Sequence, residues 1–315
     1  MKIDLQAKLA SYLSLREALG LPTAYLIPLL YEFSEYLCAR QDDESIRAQH
    51  AIEWACSTDR SASTRRVRLT AARLFLRHLK AGSPGTEIPS FRAIERSRRP
   101  EPFIFSAKQL SKLLKISRKL DEGRSMEALT VETLLGLMAC TGLRPGEAIK
   151  LRIPNIFLDE TPPRLLIYRS KFCKTRWVPL HVSASRKISE YMQFRQKQAR
   201  SGNSNYLFVT KEGRKLHYLA LQRTFQEFVE KAEIKPRAGQ MRPTLHSLRH
   251  TFAVHRLLRW YENGDAVQGL VPNLSVYLGH ADPVDTYWYL SAAPGLMTAA
   301  AERFEIYAGG KEVVQ

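Results

Sequence analysis

The chain predicts a mainly α-helical protein with one small antiparallel β-sheet, divided into two domains. Three observations carry this. Apolar residues recur at helical spacing through most of the length, two short β-type runs lie close together, and a proline-rich basic stretch separates two helical regions. With 315 residues, 44% of them hydrophobic, the chain can build two ordinary cores.

A formal charge of +17 and a pI near 9.8 favour a polyanionic partner, either nucleic acid or an anionic membrane surface. No apolar run reaches the roughly 18 residues of a membrane span, and M-K-I-D-L-Q-A-K lacks a signal-peptide core, so a cytosolic protein is expected. Cys38, Cys56, Cys140 and Cys173 show no C-x-x-C spacing. Free thiols are therefore expected, with neither a zinc knuckle nor a disulfide framework.

Helical periodicity marks Tyr25 to Leu37, Ile46 to Cys56 and Ser63 to Leu79, a small N-terminal bundle. The third segment, S-T-R-R-V-R-L-T-A-A-R-L-F-L-R-H-L-K, places Val67, Leu69, Leu74 and Leu76 among arginines and ends near Gly82. Its apolar residues can pack while Arg65, Arg66 and Arg68 face a phosphate backbone. Residues 81 to 104 then carry Gly82, Pro84, Gly85, Pro89, Pro100 and Pro102 around the basic run that holds Arg96, Arg98 and Arg99, a linker composition. The expected division is a helical domain over 1–95, a linker over 96–105 and a second domain over 106–315.

In the second domain, helical patterns cover 106 to 119 and 126 to 140. Arg164 to Tyr168 and Arg176 to Leu180 are β-type runs flanking S-K-F-C-K-T, a hairpin. The remainder reads as helical. Near the end, Pro294 to Tyr307 is a possible helix with Leu296, Met297, Ala300 and Phe304 on one side.

Three strings carry chemistry. In T-G-L-R-P-G-E, 141 to 147, Gly142 can close one helix, Pro145 suits the first turn of the next, and Glu147 lies in that turn. Arg144 then stands at a helix start, where backbone N–H groups and a guanidinium fork both favour an anion. In L-H-S-L-R-H-T-F, 245 to 252, His246 and Arg249 are three apart and share a helix face. In L-G-H-A-D-P-V-D-T-Y-W-Y, 278 to 289, His280 and Tyr289 would point apart on one continuous helix, but Asp282-Pro283 can start a new one and swing Tyr289 back. Tyr277 and Tyr287 compete with Tyr289 at this point.

Together these strings resemble the tyrosine recombinases, the phage-integrase-like family, over most of the chain. The resemblance implies a helical core-binding (SAM-like) domain and a catalytic domain that close as a C-shaped clamp on double-stranded DNA, with the basic linker running along the duplex. The catalytic set it implies is Arg144, Lys171, His246, Arg249, His280 and Tyr289. The family spacing from His280 selects Tyr289 as nucleophile. The family also places a lysine in the hairpin, and alignment on K-T-R-W-V-P-L selects Lys171, with Lys174 a competitor and a DNA contact. In this set Arg144 and Arg249 stabilise charge on the non-bridging phosphate oxygens, His280 donates a hydrogen bond to it, His246 is the candidate acceptor of the Tyr289 proton, and the lysine protonates the leaving 5′ oxygen. A phosphotyrosine bond keeps the energy of the broken link, so no ATP, cofactor or metal is expected. The sequence has neither a P-loop nor an acidic cluster for two metals.

The stretch between Arg249 and His280, including 259 to 274, is longer than in compact chromosome-dimer-resolving members, and the hairpin lacks the glycines common around the lysine. With T-Y-W-Y-L, this is similar to recombinases carried by transposons and other mobile elements. The resemblance further implies dimers on a site that join into a tetramer, with the C-terminal segment docking on a neighbouring protomer, in homo-oligomers or with related recombinases. A type IB topoisomerase and a catalytically silent DNA-binding accessory protein are the alternatives.

Overall fold

The computed structural model describes residues 4–40, 45–57, 59–95, 100–120, 125–168, 174–198, 204–292, 296, 298 and 301. The chain separates into two compact units, Met1–Arg99 and Pro100–Gln315.

The first unit packs α1 (Leu5–Ala18), α2 (Ile27–Cys38), α3 (Ala48–Cys56) and α4 (Ala62–Gly82). Polar caps set the starts of two of these helices. Asp4 accepts the Ala7 N–H at 3.0 Å, and Ser61 accepts that of Thr64 at 3.3 Å. Leu9, Leu30, Phe33, Trp54, Phe75 and Leu76 form the centre of its core.

Arg68 does not face outward as expected. Positions 68, 72, 75, 76 and 79 form the buried stripe of α4, so the helical period that brings Leu76 inward brings Arg68 in too. The guanidinium has no exposed surface. Its Nη1 and Nη2 donate to the Glu32 carboxylate at 2.9 and 2.8 Å, Nη2 also donates to the Trp54 carbonyl at 3.0 Å, and the group lies 4.0 Å from the Trp54 ring centroid. Arg68 is an internal tie between α2, α3 and α4. Arg66 donates to the Ile94 carbonyl at 2.7 Å and lies over Phe91, whereas the Arg65 side chain is 35% exposed near Asp59. Arg96, Arg98 and Arg99 lie outside the described residues.

The second unit begins with α5 (Ala107–Arg118), α6 (Met126–Thr141) and α7 (Pro145–Ile149), followed by a 3-10 turn at Ile153–Asn155. Then come β1 (Ile156–Phe157), β2 (Arg164–Ile167) and β3 (Arg176–Pro179), and then α8 (Val182–Lys197), α9 (Tyr218–Lys231), α10 (Leu245–Glu262), α11 (Val267–Leu278) and α12 (Val284–Ala292). The sheet is antiparallel in the order β1-β2-β3, with Leu165 opposite both Ile156 and Val178. The expected hairpin gains β1, whose two residues are too few to show a period-2 pattern.

The main core joins α6 and α9 to the sheet through Leu134, Met138, Leu165, Val178, Phe208 and Phe225. A smaller core collects Ala253, Leu257, Val271, Leu274, Leu278 and Tyr289 from α10, α11 and α12. Helix α10 contributes to both, so the residues along it are fixed from two sides. Of the helix expected over 294–307, Leu296 is buried in the smaller core, and Met297, Ala300 and Phe304 lie outside the described residues. No helix among the described residues is long and apolar enough to cross a membrane.

Candidate active site

Helix α6 ends at Gly142, whose φ of +64° suits glycine, and a Cβ there would come within 2.5 Å of the Phe252 ring. The turn delivers Arg144 to the start of α7, where its backbone N–H donates to Glu147 Oε2 at 3.0 Å. Its Nη1 donates to Glu147 Oε1 at 2.9 Å. Arg176, from β3, holds the same carboxylate with Nη1 at 3.1 Å and Nη2 at 2.8 Å, and its Nε donates to the Tyr277 carbonyl at 2.7 Å. Burial alone would raise the Glu147 pKa. The hydrogen bonds and charge of Arg176, with those of Arg144, outweigh it and hold the carboxyl below its usual range.

Arg249 is 1% exposed. Its Nη1 donates to the Gly142 carbonyl at 2.9 Å and its Nη2 to that of Leu278 at 2.7 Å, while Arg144 reaches the carbonyls of Leu278 at 3.3 Å and Gly279 at 2.9 Å. The two guanidiniums thus clasp the C-terminus of α11, where unpaired carbonyls carry partial negative charge. Burial, and then the charge of Arg144, push the Arg249 pKa down to about 10, which leaves it a cation at neutral pH. Arg144, Arg176 and Arg249 gather around the single carboxylate of Glu147, so this cluster keeps a positive potential able to attract an anion.

Gly279, with φ +69°, closes α11 and presents His280 beside the arginines. His280 Nδ1 lies 2.6 Å from the buried Thr286 Oγ1. Burial, followed by the charges of Arg249 and Arg144, lowers its pKa to about 3, so the imidazole is neutral. Asp282 accepts the Val284 N–H at 2.9 Å and starts α12 as the sequence suggested. The new helix brings Tyr289 back over His280, with ring centroids 6.3 Å apart and planes 21° from parallel. Tyr289 is 2% exposed, and its hydroxyl is hydrogen-bonded to His250 Nδ1 at 3.0 Å. His246, one turn earlier on α10, meets the His250 ring edge-on at 4.7 Å.

Of the competing tyrosines, Tyr287 is 43% exposed and Tyr277 stacks on Phe252, where burial pushes its hydroxyl pKa up. Lys174 Nζ donates to the His280 carbonyl at 3.0 Å, and Lys171 lies outside the described residues. Arg144, Arg249, His280 and Tyr289 therefore come together, with His246 one ring away. Sequence reasoning missed Arg176, His250 and Thr286. All three stood in quoted strings, and His250 follows His246 by the four residues that share a helix face. Beside Arg144, a cleft of about 910 Å³ is lined by Lys150, Arg152, Tyr206 and Lys215.

The phage integrase family model matches residues 104–294. Two chains of Sinorhizobium fredii (strain NBRC 101917 / NGR234), named as candidate integrase/recombinases y4rB and y4rE, are 32% and 33% identical over 300 and 302 residues. They cover 93% and 94% of this chain, and 95% and 94% of their own length. The tyrosine recombinase XerC of Alcanivorax borkumensis is 32% identical over 192 residues, 58% of this chain and 57% of that one. In fold, the XerH recombinase in its post-cleavage complex with palindromic difH superposes with a TM-score of 0.67 at 19% identity, covering 88% of this chain and 78% of the other. The Tn1549 transposon integrase bound to transposon right end DNA gives 0.65 at 16% identity, covering 94% and 98%. The chain belongs to the phage integrase family and is a site-specific tyrosine recombinase, cutting and rejoining DNA strands through a phosphotyrosine.

Proposed function

We propose that Tyr289 attacks the scissile phosphate, leaving a 3′-phosphotyrosine, and that Arg144 and Arg249 bind the non-bridging oxygens as charge builds there. The observation that carries this reading is the convergence of two guanidiniums and the Tyr289 ring on the short segment Leu278–His280. A bound phosphate offers the guanidiniums full negative charge in place of the carbonyls they now hold, and each fork matches two phosphate oxygens. Fixed cations of this kind favour the transition state over the ground state. Neutral His280 donates a hydrogen bond to the same phosphate, and Glu147 orients Arg144. His246 faces the DNA side of the set. The departing 5′ oxygen takes its proton from Lys171, or from Lys174, which already reaches the His280 carbonyl. None of these steps calls for a metal, and among the described residues no cluster of three or more His, Cys, Asp or Glu could hold one.

The substrate is a double-stranded recombination site gripped by both units, with Arg65, Arg66, Arg96, Arg98, Arg99 and Lys174 on the phosphate backbone and the Lys150–Arg152–Lys215 cleft continuing the basic track. Two dimers join as a tetramer, exchange strands in pairs through a Holliday junction, and so integrate, excise or transpose a mobile element. Similarity to a transposon integrase supports that last assignment. The test uses duplexes selected from random sequence by binding to the full chain, rebuilt with a single nick at each successive position and incubated in EDTA. An SDS-resistant adduct with wild type and none with Tyr289→Phe supports the reading. An adduct that persists in Tyr289→Phe overturns the nucleophile.

A further inference from the structure

We propose that His250 is a catalytic residue of strand cleavage: it holds the Tyr289 hydroxyl and accepts its proton as the oxygen attacks phosphorus. This rests on the reading of Tyr289 as nucleophile. A tyrosine hydroxyl, with a reference pKa near 10, is almost wholly protonated at neutral pH, so attack needs an acceptor within hydrogen-bond reach. His250 Nδ1 stands 3.0 Å from that oxygen.

The other two imidazoles of the site are less suited. His280 Nδ1 is engaged by Thr286 Oγ1 at 2.6 Å, and burial, followed by the charges of Arg249 and Arg144, makes the ring a weak base. His246 is partly exposed and meets the His250 ring at 4.7 Å, whereas it is His250 that bonds the Tyr289 hydroxyl. His250 is 6% exposed and is held on three sides, by His246 at 4.7 Å, Trp288 at 5.6 Å and Tyr289 at 5.5 Å between ring centroids. Its orientation toward the hydroxyl is therefore fixed by packing as well as by the hydrogen bond. Buried surroundings also keep bulk water from competing for the proton.

With its proton on Nε2 and the Nδ1 lone pair accepting from the Tyr289 hydroxyl, the imidazole takes up that proton as the Tyr289 O–H bond breaks and the O–P bond forms. The P–O bond to the 5′ oxygen breaks, and that oxygen takes a proton from the lysine acid. In rejoining, the 5′ hydroxyl displaces the phenolate, its proton returns to the lysine, and the His250 imidazolium reprotonates Tyr289. No proton is gained or lost over the cycle.

The experiment measures single-turnover adduct formation by the full chain on its selected, nicked duplex, with DNA binding followed in parallel. His250→Gln keeps an acceptor atom for the hydroxyl but cannot carry the proton away. We expect it to bind DNA as wild type does and to cleave about 10²-fold or more slowly. A duplex with sulfur in place of the scissile 5′ oxygen removes the need for the lysine acid, and the His250→Gln defect should persist on it. Added imidazole should restore part of the rate to His250→Gly. Should His250→Gly fail to fold, His250→Gln alone decides. Cleavage by His250→Gln at the wild-type rate or faster would overturn the proposal, as would rescue of that variant by the sulfur duplex. These outcomes are separate from the parent reading, which fails only if Tyr289→Phe still forms the adduct.

Discussion

Arg144 and Arg249 donate to one oxygen atom, the carbonyl of Leu278, at 3.3 and 2.7 Å. Two like charges on one acceptor repel, and Glu147, held by Arg144 and Arg176, offsets that repulsion within the cluster. The loop connecting α11 to α12 is thereby fixed by the same guanidiniums that would bind phosphate. Binding and positioning of His280 are coupled through these two side chains.

Arg249→Lys should separate charge from shape. A lysine keeps the cation but cannot bridge the Gly142 and Leu278 carbonyls or grip a phosphate with a fork. Adduct formation should fall by about 10²-fold or more while the mobility-shift affinity for the selected duplex stays close to wild type. Equal loss in both assays would show that Arg249 acts in binding alone.

Arg176→Met should destabilise the second unit by about 2–4 kcal/mol, because it removes one partner of a carboxylate that is 7% exposed and leaves charge behind. Adding Glu147→Gln should cost less than the same change in wild type, since the Arg176 bonds to that carboxylate are already gone. Urea unfolding of the single and double variants measures the coupling, and strict additivity would contradict it.

Acid should weaken the protein partly through His280. Its folded-state pKa of about 3 lies below the ordinary 6.5, so the unfolded chain takes up the proton first. The stability contributed by the neutral ring is present above about pH 6.5 and is lost as pH falls toward 3. Between about pH 7 and pH 4.5, wild type should lose more of its Tm than His280→Gln does. Parallel losses would contradict the buried, arginine-flanked setting of this histidine.

In the first unit, Arg68→Met should cost about 2 kcal/mol despite the apolar replacement, because the bonds to Glu32 and the Trp54 carbonyl are lost. Arg65→Ala should leave urea unfolding unchanged and reduce the salt dependence of DNA binding. A salt slope altered by Arg68→Met alone would reverse these assignments.

The outcome for Arg68 shows where the sequence stops being legible. Periodicity locates α4 and its inward Leu69 and Leu76, yet a long basic side chain on the same stripe is indistinguishable from a surface arginine until Glu32 and Trp54 are seen around it. In the second unit, local signals were strong enough to foretell backbone events: the left-handed Gly142, the helix start at Arg144 and the break at Asp282. Contacts between distant strings were not foretold. Arg176 meets Glu147 and the Tyr277 carbonyl only because β3 packs beside α7 and α11, and the Tyr289 hydroxyl meets His250 only because α12 folds back on α10. Residue spacing within a string does not encode such pairings.

The most direct measurement of the central claim is tandem mass spectrometry of the trypsin-digested covalent adduct. One tryptic peptide, Trp260 to Arg303, carries Tyr261, Tyr277, Tyr287 and Tyr289 together, so fragmentation within it identifies the modified oxygen. The account predicts the nucleotide phosphate on Tyr289. A phosphate on Tyr287 or Tyr277 would contradict it.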